Sequence, residues 1–148
     1  MMQIAIINGP NLNLLGTREP TIYGDTSFEA YYKTLQVRFP HIRFHYYQSN
    51  IEGELICELQ RVGFEYDGIL INPGGYTHTS VALGDCIASI TTPVIEVHIS
   101  NIHSREAFRQ ISHVSAKCRG TIAGLGLEGY ALGTQFFIDN AAPMQQKA

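Results

Sequence analysis

Gly68-Ile69-Leu70-Ile71-Asn72-Pro73-Gly74-Gly75 decides the fold. Gly68–Ile71 is a short apolar run, and Asn72 to Gly75 stops it with turn residues. Helical spacing then predicts a helix over Thr79–Ile90, and Pro93–Val97 reads as the next strand. A strand that is apolar along its whole length must be covered on both faces, as the strands of a parallel sheet are. The same alternation extends in both directions. Upstream, Gln3–Ile7 and Ile42–Gln48 read as strands. A helix over Phe28–Phe39 follows Ser27 or Thr26 as its cap, and one over Glu52–Val62 is ended by Gly63. Downstream, Gly120–Ala123 is a fifth strand and Leu127–Phe137 a closing helix. Five strand–helix units in one chain predict an α/β protein: a flavodoxin-like, doubly wound, five-stranded parallel sheet with helices on both faces.

The 148 residues suit one domain spanning 1–148, with a polar tail over about 140–148 expected to fray. The formal net charge is −3, and acidic and basic residues interleave without a polybasic block. That balance argues against nucleic acid or a membrane surface as partner, so an anionic substrate has to be held by local groups. The start, Met1 to Ile7, lacks a basic region and runs into Asn8-Gly9-Pro10 too early for a signal peptide. No apolar run approaches a membrane span. The three cysteines, Cys57, Cys86 and Cys118, give neither a disulfide framework nor a CxxC motif, so a reduced, cytoplasmic protein is expected.

In doubly wound sheets ligands sit beyond the carboxyl ends of the strands, which singles out three clusters. The first is the long loop from Asn8 to Gly24, whose chemistry lies in Arg18 and Tyr23. A tyrosine becomes a base near neutral pH when a guanidinium stabilises its phenolate; otherwise Tyr23 packs and Arg18 is solvated. The second runs from Asn72 to Ser80. There Thr77 is a candidate helix cap, and Asn72 and His78 can donate to hydroxyls or a carboxylate. The competing reading makes Gly74-Gly75 a tight turn and His78 a surface residue. The third is Glu96-Val97-His98-Ile99-Ser100-Asn101-Ile102-His103-Ser104-Arg105. Glu96 and His98 point to one side of a strand, where a carboxylate can orient an imidazole as a general acid. Burying either charge among Val and Ile without a function would be costly. His98 and His103 lack the i, i+4 spacing of a zinc helix, so no metal site is expected. Gly124-Leu125-Gly126-Leu127-Glu128-Gly129 matches GxGxxG only loosely and reads as a tight strand-to-helix turn.

At these clusters the sequence resembles the type II dehydroquinase (type II 3-dehydroquinate dehydratase) family, from about Gln3 to Leu132. The motifs are Asn8-Gly9-Pro10-Asn11-Leu12-Asn13-Leu14-Leu15-Gly16-Thr17-Arg18-Glu19-Pro20 with Tyr23-Gly24, Asn72-Pro73-Gly74 with Tyr76-Thr77-His78-Thr79-Ser80, and Glu96 through His103. The resemblance implies removal of water from 3-dehydroquinate to give 3-dehydroshikimate through an enolate, without metal or cofactor. The step serves the shikimate pathway of aromatic amino acid biosynthesis or quinate catabolism. It also implies the roles. Tyr23 is the base, Arg18 its stabiliser, His98 the general acid, Glu96 the group orienting it, and Asn11 the holder of a water at the enolate oxygen. Asn72, His78, the backbone of Ile99 and Ser100, and Arg109 bind substrate. Asp85 reaches the site of a neighbouring subunit, in an assembly of trimers forming a dodecamer.

The sequence departs from the family at Thr21, where glutamate is usual, at Gly75, where alanine is common, and at Gly84, where arginine precedes Asp85. A Schiff-base route would need a buried lysine, whereas Lys33, Lys117 and Lys147 fall on helix, loop or tail. Three rival readings are a flavodoxin-like binding module, a hydrolase using Cys86 or Ser80, and an inactive paralogue. The first lacks a Ser/Thr-rich phosphate cradle or paired acids, and the second lacks a GxSxG elbow. The third would have kept every catalytic position.

Overall fold

The computed structural model describes residues 1–17, 21 and 25–141. Five parallel strands, β1 (Met2–Asn8), β2 (Ile42–Gln48), β3 (Gly68–Asn72), β4 (Val94–His98) and β5 (Gly120–Ala123), lie in the order β2-β1-β3-β4-β5. This is the flavodoxin-like order expected, with a switch of direction between β1 and β3. Among the described residues the α-helices α1 (Phe28–Arg38), α2 (Glu52–Val62), α3 (Val81–Ser89) and α4 (Glu128–Asp139) accompany them.

Alternating side chains of the strands divide the core in two. Ile4 and Ile6 of β1, Leu70 of β3 and Val97 of β4 pack with Phe28 and Leu35 of α1 and Tyr130 and Phe137 of α4. Ala5, Ile7, Ile69, Ile71 and Val94 pack with Leu55 and Leu59 of α2 and Leu83 and Ile87 of α3. Both faces of the sheet are therefore covered, which is why β3 is apolar and buried along most of its length.

Local chemistry sets the helix starts. Ser27, not Thr26, caps α1 by accepting the Ala30 N–H at 3.2 Å. The helix expected over Thr79–Ile90 begins later, at Val81, because Ser80 is its cap and accepts the Leu83 N–H at 2.9 Å. Thr77 is not a cap. It lies in a 3-10 turn, Gly74–His78, between β3 and α3.

Three glycines have a steric or backbone cause. A Cβ on Gly84 would lie 2.3 Å from the carbonyl oxygen of His113, so any side chain there requires the 113 backbone to move. In the Gly124–Gly129 run, Gly124 and Gly126 take φ of 88° and 64°, turning β5 tightly towards α4 as the sequence predicts. Cys86 is buried in α3 and Cys57 is exposed on α2. Among the described residues no helix is long and apolar enough to cross a membrane.

Candidate active site

The ends of β1, β3 and β4 face one cleft of about 180 Å³, placed where the strand order reverses between β1 and β3. After β1 the chain gives Pro10, Asn11 and Leu12; after β3 it gives Gly74, Gly75 and His78; and at the end of β4 it gives His98, Ile99 and Ser100. Asn72, Ile102, Arg105 and Arg109 complete the wall. Seven of the predicted site residues thus meet around one space: Asn11, Asn72, His78, His98, Ile99, Ser100 and Arg109. Glu96 stands directly behind His98. Asp85 does not line this cleft; it is exposed on α3. Arg18 and Tyr23 lie outside the described residues.

Asn11 takes a left-handed conformation, φ 71°, which asparagine tolerates better than most residues. Its N–H donates to Asn50 Oδ1 at 3.0 Å, fixing the loop after β1 against the end of β2. Asn8 and Asn72 are paired in register at the ends of β1 and β3. Beneath them lies Tyr130, fully buried, whose hydroxyl donates to Asn8 Oδ1 at 2.8 Å and accepts from Asn72 Nδ2 at 3.0 Å. Asn72 Oδ1 accepts the Gly74 N–H at 3.1 Å. The carboxamide is thereby locked at the floor of the cleft, with little freedom to turn.

His78 is buried, which excludes the surface-residue reading. Its Nδ1 lies 2.7 Å from the carbonyl of Ile111, so Nδ1 carries the proton. The ring stacks with that of His98 at 6.4 Å between centroids and meets Phe108 edge-on at 5.7 Å.

Glu96 is fully buried and His98 is 5% exposed. His98 Nε2 lies 2.6 Å from Glu96 Oε2, so the i, i+2 spacing on β4 does bring the two groups together. The Thr77 hydroxyl donates to the same oxygen at 2.7 Å, the Ser115 hydroxyl donates to Oε1, and Thr121 Oγ1 is 3.4 Å from Oε1. Burial by itself would raise the Glu96 carboxyl, but the hydrogen bond and charge of His98, with the Ser115 and Thr77 hydroxyls, outweigh it and hold the group below its ordinary value. With Nε2 engaged, Nδ1 is the ring nitrogen left to act on a bound molecule.

Two guanidinium groups on the opposite wall supply positive charge. Arg105 reaches Ser100 Oγ at 3.2 Å, and Arg109 Nε donates to Glu106 at 3.1 Å. A short polar cleft with buried amide and imidazole groups and half-buried guanidinium groups suits a small, anionic, hydroxylated molecule. Among the described residues no group of three or more His, Cys, Asp or Glu is placed to hold a metal ion. Lys33 and Lys117 are both exposed.

The model of the dehydroquinase class II family matches residues 2–138. The chain belongs to that family. A 3-dehydroquinate dehydratase of Exiguobacterium is 48% identical over 140 residues, covering 94% of this chain and 96% of the relative. Another from Anoxybacillus flavithermus is 50% identical over 141 residues, covering 94% and 95%. The crystal structure of a type II dehydroquinase from Butyrivibrio crossotus superposes with a TM-score of 0.89 at 45% identity, covering 93% of this chain and 97% of that one. The resemblance read from three motifs therefore holds over almost the whole chain.

Sequence reasoning missed several groups in this family site. Ser115 is 19 residues from Glu96 and carries no local signal. Thr77 was assigned to capping. Arg105 stands at the end of the third motif but was given no role. Tyr130 and Asn8 read only as core and turn.

Proposed function

We propose that the chain eliminates water from 3-dehydroquinate to give 3-dehydroshikimate, with Tyr23 as base and His98 as acid. As a member of its family it is a hydro-lyase. The observation that carries the acid assignment is His98, held by a buried carboxylate on Nε2 and facing the cleft.

A Tyr23 phenolate, stabilised by Arg18, removes the proton alpha to the ketone, and the electron pair moves onto the carbonyl oxygen as an enolate. A water held by Asn11 supports that oxygen. As the enolate collapses, the C–O bond to the leaving hydroxyl breaks while His98 Nδ1 gives it a proton, and water departs. The Glu96 carboxylate compensates the charge of the doubly protonated ring before transfer. The proton on Tyr23 then returns to His98 through solvent. Asn72, His78, Arg109 and the backbone at Ile99 and Ser100 hold the substrate hydroxyls and carboxylate. Neither a metal nor an organic cofactor has a part in this route.

Asp85 belongs to the same reading. Exposed on α3 and outside its own cleft, it is available to a neighbouring copy, as expected in a dodecamer of trimers. Sedimentation of the purified chain at the mass of a monomer would sink this part.

The enone absorbance of the product gives the test. Wild-type protein should turn over 3-dehydroquinate equally with and without chelator. Tyr23→Phe and His98→Ala should each lose about 10²-fold or more in kcat. Well-folded wild-type protein without turnover would sink the substrate assignment.

A further inference from the structure

We propose that Thr77 and Ser115 are positioning residues for the acid, acting through Glu96 to hold His98 with its Nε2–H on the carboxylate and Nδ1 towards the cleft, the orientation from which the doubly protonated ring protonates the leaving group. The proposal rests on the dehydratase reading.

Glu96 is fully buried, yet it receives no lysine or arginine among the described residues. Each oxygen is instead fixed by a hydroxyl from a different part of the chain. Thr77 comes from the 3-10 turn after β3 and donates to Oε2, the oxygen that faces His98. Ser115 comes from a second 3-10 turn, Ser115–Lys117, and donates to Oε1. The two turns are themselves tied, because the His113 N–H donates to the Thr77 carbonyl at 2.8 Å. The Ser112 hydroxyl accepts the Ser115 N–H at 2.9 Å and holds that turn in place.

A carboxylate on a strand keeps freedom about its terminal torsion, which is broad rather than staggered. With a hydroxyl on each oxygen, and Thr121 Oγ1 at a longer 3.4 Å from Oε1, the plane of the Glu96 carboxylate is set from both sides. A lone pair of Oε2 is then directed at His98 Nε2. Neutral donors do this without cancelling the charge. A guanidinium in their place would orient the carboxylate too, but it would also take up the negative charge that compensates the charged imidazole. The arrangement therefore fixes the ring while leaving the carboxylate's charge to the imidazole. Thr77 also lies 3.4 Å from Nε2 itself, so its hydroxyl defines the space that the ring nitrogen occupies.

The test pairs kinetics with a readout on the resting protein. Thr77→Val removes the hydroxyl and keeps the shape, Thr77→Ser keeps the hydroxyl, and Ser115→Ala removes the second donor. We expect Thr77→Val and Ser115→Ala to lose about tenfold to 10²-fold in kcat, a part of what a general acid supplies. KM should stay within about twofold, and Thr77→Ser should recover most of kcat. Nitrogen-15 NMR of His98 without substrate, at a pH alkaline enough to leave the ring singly protonated, should show a single Nε2–H tautomer in the wild type and Thr77→Ser, and mixed tautomers in Thr77→Val and Ser115→Ala. Wild-type kcat in both hydroxyl-less variants, or a loss in Thr77→Ser equal to that in Thr77→Val, would overturn the proposal. Should Thr77→Val fail to fold, Ser115→Ala on the less buried turn decides alone. Should the wild type not act on 3-dehydroquinate at all, the dehydratase reading fails. The NMR comparison still judges the positioning, and an unchanged His98 tautomer in every variant rejects it.

Discussion

Among the described residues, two carboxylate–histidine pairs have the same length, Glu96–His98 and Glu58–His45, each at 2.6 Å. The first lies at the end of β4, with side chains 0% and 6% exposed; the second joins α2 to the edge strand β2, with side chains 9% and 35% exposed. Their surroundings differ in kind. Glu96 is bound by hydroxyls. Glu58 is gripped by Arg61, whose Nε reaches Oε1 and whose terminal nitrogen reaches Oε2, both at 2.8 Å. That guanidinium, ahead of the smaller opposing effect of burial and the help of His45, holds the Glu58 carboxyl below its ordinary value. A fork of this kind takes up the carboxylate's charge and leaves His45 as one partner among two. Nor does His45 line the cleft of His98; its ring meets Tyr66 edge-on at 6.2 Å. Distance alone therefore does not make an acid. The neutral second partner and the open cleft do.

The sharpest way to break the comparison is to remove each imidazole. We expect His98→Ala to lose about 10³-fold in kcat, while His45→Ala stays within about twofold of wild type. Glu96→Gln against Glu58→Gln is the next step down. Glutamine at 96 keeps the size but abolishes the charge that compensates the acid, and should cost about 10²-fold in kcat. Glutamine at 58 should leave turnover per folded molecule unchanged. Equal losses in the two glutamine variants, in steady-state assays of the folded protein, would erase the distinction drawn between the pairs.

The two pairs also differ in how far the sequence discloses them. Glu96 and His98 are two apart on a strand whose side chains alternate, so their meeting follows from local geometry. The pairing of His45 with Glu58 depends on how α2 packs across β2, which no spacing encodes. The same division runs through the fold and the cleft. The bounds of β2, α2 and β5 follow from local patterning, and the parallel sheet follows from alternation; the order of its strands is a tertiary fact. The start of α3 was misread because several residues between Thr77 and Ser80 can cap a helix. The chain forms a 3-10 turn first, which frees Thr77 for Glu96. Residues 101–119 carry no period of either kind, and they fold as short 3-10 turns; Ser115 and Arg105 are therefore invisible as site residues until the tertiary structure gathers them.

Stability should register the Glu58 pair that activity does not. Glu58→Gln breaks a network that ties the edge strand β2 to α2, while its partners remain partly in water, with the Arg61 side chain 52% exposed. We expect a loss of about 1 kcal/mol in urea denaturation, near the upper end for partly exposed ion pairs. A variant as stable as wild type would show that the pair is incidental to the fold.

The smallest effect is in pH, and its sign is fixed by the direction of the shift. The folded Glu58 carboxyl lies below its ordinary value of 4.5, so the unfolded chain takes up the proton first as the medium is acidified. The stabilisation from this group is thus complete above about pH 4.5 and is lost as pH falls through the lower folded value. Wild type should lose stability faster than Glu58→Gln across that window, and the two curves should converge below it. Glu96, which is also held low, keeps its contribution in both proteins and so cancels from the difference. Denaturation curves collected from pH 6 down to pH 3 check this. If wild type and Glu58→Gln stay parallel throughout, the Arg61 fork does not hold the Glu58 carboxylate as the geometry requires. The contrast between a carboxylate claimed by a guanidinium and one left to its imidazole would then need another cause.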